Sequence, residues 1–155
     1  MTSSPPLDIL RTLATDPSGI VRSWVGWNPA TPVEVLRALA QDPDEDVRNS
    51  VAMNTSAPED VLVNLAKDPY EAVRDGVARN LAAPHDVLRN LASDPDEDVR
   101  SAVAQNDVAV DTILWILAQD VDDVVRLAVA RNTAAPEGVL LSPCARDADS
   151  LPVSS

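Results

Sequence analysis

The sequence predicts an all-α fold, a solenoid of five stacked two-helix repeats, and three registers sharing one 26-residue period predict it. Asp-Pro recurs at Asp16-Pro17, Asp42-Pro43, Asp68-Pro69 and Asp94-Pro95, and Val-Arg at Val21-Arg22, Val47-Arg48, Val73-Arg74, Val99-Arg100 and Val125-Arg126. A single asparagine keeps the same step at Asn28, Asn54, Asn80, Asn106 and Asn132. Leucine holds two further registers, one running from Leu10 to Leu140 and one from Leu13 to Leu117. A fixed period of this length marks like units, each burying its apolar face on its neighbours.

Each unit reads as two short helices and two tight turns, and the unit from Pro58 to Ala83 shows why. Pro58 suits the first position of a helix, where its missing N–H costs no hydrogen bond. Val61, Leu62, Leu65 and Ala66 then fall at i, i+1, i+4 and i+5, a narrow apolar stripe at helical spacing. That helix ends near Lys67. Asp68 is a natural N-cap for the next, with Pro69 as its first residue and Glu71 as the reciprocal member of a capping box. Val73, Val77 and Ala78 form the second stripe, and Asn80 closes the helix. Neither helix reaches the ~12–15 residues that a lone helix needs in water, so stacking must supply the stability. The alanines Ala52, Ala78, Ala104 and Ala130 allow the layers to approach closely.

Counted from Pro6, after a lead of residues 1–5, the units run 6–31, 32–57, 58–83, 84–109 and 110–135. A sixth begins at Pro136 and reaches 141, where Ser142-Pro143 replaces the second leucine and ends the helix. Residues 142–155 carry little periodicity and read as a flexible tail. A last layer without a polar cap leaves apolar surface open, which fits either a binding end or a truncated array. The fifth unit is atypical too. Val110 and Val121 replace prolines, Trp115 stands where other units have Arg11, Arg37, Val63 or Arg89, and Leu127 stands where they have Ser23, Asn49, Asp75 or Ser101. At the other end, Trp24 occupies a small-residue register and is expected to cover the first layer, while Trp27 shares the exposed register of Met53, Arg79, Gln105 and Arg131.

The net charge of −13 comes from 25 acids against 12 bases, and 21 of those acids sit around predicted helix starts. There a carboxylate meets free backbone N–H groups and the positive end of the helix dipole, worth roughly 0.3–1 kcal/mol each. Capping thus explains their positions, although aligned repeats also sum them into one acidic edge. The arginines of the Arg22 register are expected to pair with turn aspartates and carbonyls rather than to form a phosphate ladder. The asparagines are expected to satisfy turn carbonyls and N–H groups between layers, or to accept a left-handed backbone angle.

These residues resemble a known pattern. The phrase Asp94-Pro95-Asp96-Glu97-Asp98-Val99-Arg100-Ser101-Ala102-Val103-Ala104-Gln105-Asn106, with Pro58-x-x-Val61-Leu62-x-x-Leu65-Ala66, is similar to the leucine-rich repeat variant, a bacterial α-solenoid family, from Pro6 to about Leu141. The resemblance implies a right-handed superhelix and allows a short 3₁₀ segment in place of one α-helix per pair. The founding type of that family carries a cysteine-rich iron–sulfur cluster ahead of its repeats. This chain has only Cys144, so no iron–sulfur cluster, disulfide or other cofactor is expected.

Nothing in the chain reads as an active site. His85 is alone in an exposed register, four glycines supply no phosphate loop, and no serine lies in a nucleophile elbow. An acidic balance disfavours nucleic acid. Met1 to Leu10 lack the pattern of a signal peptide, and no apolar run approaches a membrane span, so a cytoplasmic protein without membrane contact is expected. The leading expectation is a non-enzymatic scaffold that binds another protein, with Trp115, Trp27, Leu127 and the acidic turn Asp96, Glu97, Asp98 as candidate contacts. The alternative is a polyanion mimic that sequesters a basic or nucleic-acid-binding protein.

Overall fold

The computed structural model describes residues 5–135, which form ten helices and no strand. They are α1 (Pro5–Leu13), α2 (Gly19–Trp27), α3 (Val33–Leu39), α4 (Glu45–Met53), α5 (Glu59–Leu65), α6 (Glu71–Arg79), α7 (His85–Leu91), α8 (Glu97–Gln105), α9 (Asp111–Leu117) and α10 (Asp123–Arg131). The lead up to residue 4, the sixth unit from Pro136, the 142–155 tail and Cys144 lie outside the described residues. Among the described residues no helix is long and apolar enough to cross a membrane.

Both helices of each pair are α, so the 3₁₀ segment allowed by the resemblance is not present. The reason lies in the stripe: valine and leucine at i, i+1 and i+4 meet one surface only at α spacing. Tighter i→i+3 bonds are confined to the ends, as from Gln41 N–H to the Ala38 carbonyl. Two predicted starts move. Pro58 is the N-cap of α5 rather than its first residue, and α6 begins at Glu71 behind Tyr70, not at Pro69. The expected capping box at Asp68 therefore does not form. Asp68 instead accepts the Tyr70 N–H at 3.0 Å and turns the chain ahead of the helix. The cap passes two residues along, so that Asp44 accepts the Asp46 N–H and Asp96 the Asp98 N–H.

The two rows of helices do different work. Even-numbered helices pack along their lengths on one another, α2 on α4, α4 on α6, α6 on α8 and α8 on α10, while each odd helix touches the even helices beside it in sequence. The core lies between the rows. Leu36, Leu62, Leu88 and Leu114 from the odd helices and Val47, Val73, Val99 and Val125 from the even ones are fully buried. Small residues set the distance within the even row. Ala52, Ala78 and Ala104 are fully buried, and a methyl group on Gly26 would sit 3.2 Å from Val51 Cγ2.

Asparagine joins each layer to the one before. The Asn80 Nδ2 donates to the Ala52 carbonyl at 2.7 Å and to the Asn54 carbonyl at 3.0 Å, while its Oδ1 accepts the Ala82 N–H at 2.8 Å. Asn54, Asn106 and Asn132 repeat the arrangement. Of the two roles foreseen for this register, the interlayer one is taken. The backbone at Asn54, Asn80 and Asn106 is extended, and no described residue has a positive φ.

The N-terminal end breaks the pattern at Trp24, which is 69% exposed and does not cover a layer. Its register, filled by Ser50, Gly76 and Ala102 further on, turns toward the preceding even helix, and among the described residues α2 has none. Trp24 instead meets Trp27 edge-on, with ring centroids 6.4 Å apart.

The ladder predicts unequal costs for one substitution. Asn80→Ala strands two buried carbonyls and an N–H, and is expected to cost about 3 kcal/mol in denaturant unfolding. Asn28→Ala removes the local bond to the Ala30 N–H, with no interlayer bond from this side chain among the described residues, and is expected to cost about 1 kcal/mol.

Candidate binding surface

The arginines Arg22, Arg48, Arg74 and Arg100 of the Val-Arg register are structural, and their geometry closes them to ligands. The Arg48 Nε and NH2 donate to both oxygens of Asp68, at 2.7 and 3.1 Å, while NH1 donates to the Asp42 and Pro43 carbonyls at 2.7 and 3.2 Å. Arg22 on Asp42, Arg74 on Asp94 and Arg100 on Asp120 make the same bidentate contact. Each guanidinium thus ties its own turn to the next one. Arg126 keeps the carbonyl half alone, donating to Asp120 and Val121. The aspartates at these four positions are not helix caps, as their sequence position suggested; they are held inward by an arginine 20 residues earlier.

Three of these acids, Asp42, Asp68 and Asp120, are shifted downward. The Arg22 guanidinium holds the Asp42 carboxyl below the usual carboxylate range against the upward push of burial. Burial pushes the Asp68 and Asp120 carboxyls up, but hydrogen bonds from Arg48 and Arg100, with the Tyr70 and Asp122 N–H groups, outweigh it and hold both low.

The outer face of the even row is accessible along its length. The positions equivalent to Ile20, Ser23 and Trp27 fall at i, i+3 and i+7 on every even helix, so they share one face. Along it lie four open depressions. The first, about 260 Å³, is lined by Ser23, Trp24, Trp27 and Ser50. The second, about 370 Å³, shares Ser23, Trp27 and Ser50 with it and extends to Asp44, Asp46, Asn49 and Met53. The third, about 450 Å³, shares Asn49 and Met53 with the second and is walled by Glu71, Asp75, Arg79, Asp96 and Asp98 over Ala72 and Val99. The fourth, about 380 Å³, lies between α8 and α10 around Ser101, Gln105, Val124, Leu127 and Arg131.

Trp27, Leu127, Asp96 and Asp98 all line this face. Trp115 does not. It is 39% exposed on α9, in the odd row, beside the exposed Ile116. Glu97 is exposed but lines none of the four depressions. Sequence reasoning missed Ile20, Met53 and the Asp75–Arg79 ion pair at 2.7 Å. The i, i+3, i+7 spacing from Ile20 would have found them. Two oxygens here, Asn49 Oδ1 and Asp75 Oδ1, are buried without a hydrogen-bond partner in the protein. Among the described residues no group of three or more His, Cys, Asp or Glu is placed to hold a metal ion.

The lowered aspartates give a pH signature. A carboxyl whose folded pKa lies below its unfolded value of about 3.9 contributes stability that is complete above that value and lost as pH falls through the folded pKa. Asp68→Asn is expected to cost about 2 kcal/mol at neutral pH, less than for a fully buried pair because Arg48 keeps its carbonyl acceptors. The gap in melting temperature between wild type and Asp68→Asn should hold from pH 7 to about 5 and shrink below about 4. No protein-family model matches this chain, and no curated protein matches it.

Proposed function

We propose that the chain is a right-handed α-solenoid of five two-helix repeats, of the leucine-rich repeat variant kind, working in the cytoplasm as a non-enzymatic scaffold that binds another protein along its even-helix face. One observation carries the reading: four open depressions lie on a single face, with its most exposed apolar side chains at both ends and mostly polar ones, with Met53, between. Ile20, Trp24 and Trp27 at one end, and Val124 and Leu127 at the other, are each at least half exposed. Aromatic anchors beside shallow pockets are the usual energetic centres of protein interfaces. The polyanion-mimic reading draws on the same net charge of −13. It is the weaker one, because Asp42, Asp68, Asp94 and Asp120 turn inward onto arginines rather than outward as a charged array.

Affinity capture from a lysate of the source organism, at low and moderate salt, separates these readings. Wild type is expected to hold a partner at moderate salt, Trp27→Ala and Met53→Ala to lose it, and Trp115→Ala to keep it. Loss in Trp115→Ala alone would move the interface to the odd row. A basic partner released by salt from every variant would favour the mimic.

A further inference from the structure

We infer that two copies of the chain pair through the N-terminal end of the array, α1 and α2 of one copy against α1 and α2 of the other, related by a twofold axis. Ile9 and Leu13 of α1 belong to registers that are buried in every later described layer, at Val35, Val61, Val87 and Ile113 and at Leu39, Leu65, Leu91 and Leu117. Trp24 belongs to the register of Ser50, Gly76, Ala102 and Ala128, which is buried between even helices. In the first layer the same positions are open. Ile9 is 58%, Leu13 36% and Trp24 69% exposed, with Ile20 at 74% one turn before Trp24 and Trp27 at 54% on the rim. With about 150–250 Å² for each fully exposed indole and somewhat less for each aliphatic side chain, this end presents roughly 600 Å² of apolar surface. Two such surfaces together reach the ~1,200 Å² at which specific interfaces begin.

Charge and shape both favour a second copy in this arrangement. With a net charge of −13, two copies repel each other except where acids are missing, and α2 is such a place. Its first turn holds no acid, whereas α4, α6, α8 and α10 each begin with one or two. Gly19 stands where they have Glu45, Glu71, Glu97 and Asp123, and Ile20 stands in the register of Asp46 and Asp98. The one charged residue of α2, Arg22, is turned onto Asp42. On α1, Asp8 is paired with Arg11, and in the turn between the helices Asp16 accepts the Ser18 N–H. The other way for copies to cover this end is to continue the array, with α10 of one stacked on α2 of the next. Trp24 forbids it. A methyl group on Gly76, in the same register, would already lie 3.1 Å from Ala52 Cβ and 3.3 Å from Met53 Cγ of the preceding even helix, and an indole has no room there. Pairing like ends needs no such approach, and it closes at two copies instead of growing a fibre. The inference goes beyond the scaffold reading and does not depend on it, since Met53 and the third and fourth depressions belong to later layers.

Sedimentation velocity on the full chain, over a concentration series, tests the pairing. Wild type is expected to pass from monomer to dimer with a dissociation constant on the order of 1–100 μM, as for a small interface, and to stop at two copies. Below that range the single chain is seen alone. Trp24→Glu and Ile20→Asp each put a charge into the contact and should weaken dimerisation roughly tenfold or more. Both side chains are open to solvent within one chain, so the fold is retained, and a melt in the monomer range checks this. Leu127→Glu, on α10, should leave the dimer unchanged. A wild type that stays monomeric up to about 1 mM would overturn the inference. So would a dimer that survives both end-face variants. Species that grow beyond two copies and are lost in Leu127→Glu would overturn it in favour of head-to-tail stacking. The lysate capture through Met53 tests the scaffold reading separately, and each can fail without the other.

Discussion

Each layer of this chain grips the one before it through a single buried amide, and most other features follow from that grip. An asparagine that ends one even helix donates two hydrogen bonds to the carbonyls that end the previous one. For those bonds to reach, consecutive even helices must approach closely, so their facing positions are glycine, alanine and serine. Close approach along one row leaves the wider valine and leucine side chains to fill the space between rows. The arginine–aspartate pairs brace the opposite ends of the same helices, each tying one turn to the next across 20 residues. Polar contacts thus set the register, and apolar burial supplies the driving force.

The same constraint explains where a partner can bind. The aspartates Asp42, Asp68, Asp94 and Asp120 and the arginines Arg22, Arg48, Arg74 and Arg100 are consumed between layers, and the core faces are covered. The exposed face of the even row stays open, and its side chains can vary from layer to layer because few interlayer hydrogen bonds depend on them, the one between Ser23 and Ser50 among them. They do vary, from Ile20 and Trp27 through Asp46 and Met53 to Asp98, and to Val124 and Leu127. A regular frame carries an irregular face.

Much of this frame was legible in the sequence, since the period exposes every position that packing repeats. The leucine and valine stripes, the closing asparagine and the structural role of the arginines all follow from local chemistry read five times over. The aspartate of Asp-Pro was half legible: an arginine pairing with turn aspartates was expected, but the reading of Asp68 as a helix cap was not met. Locally it looks like a helix cap, and only the arginine 20 residues earlier makes it an ion-pair partner, a contact that chain order hides. The binding face was seen in pieces. Trp27 and Leu127 stood out as exceptions within their own registers, and so did Trp115, but only the helical phase shows that the first two share a face and the third does not. Trp24 misled for a related reason: a small-residue register implies burial only where a preceding layer exists.

The central claim is that the described residues are held together by contacts between neighbouring layers, with α4, α6 and α8 gripped on two sides and α2 and α10 on one. Native-state amide hydrogen exchange, resolved by residue, tests it most directly. The account predicts the strongest protection in α4, α6 and α8, falling stepwise toward α2 and α10, with the Ala82 N–H beneath the Asn80 side chain among the slowest outside helices. Equal protection in all five even helices, or strongest protection at an end, would contradict it.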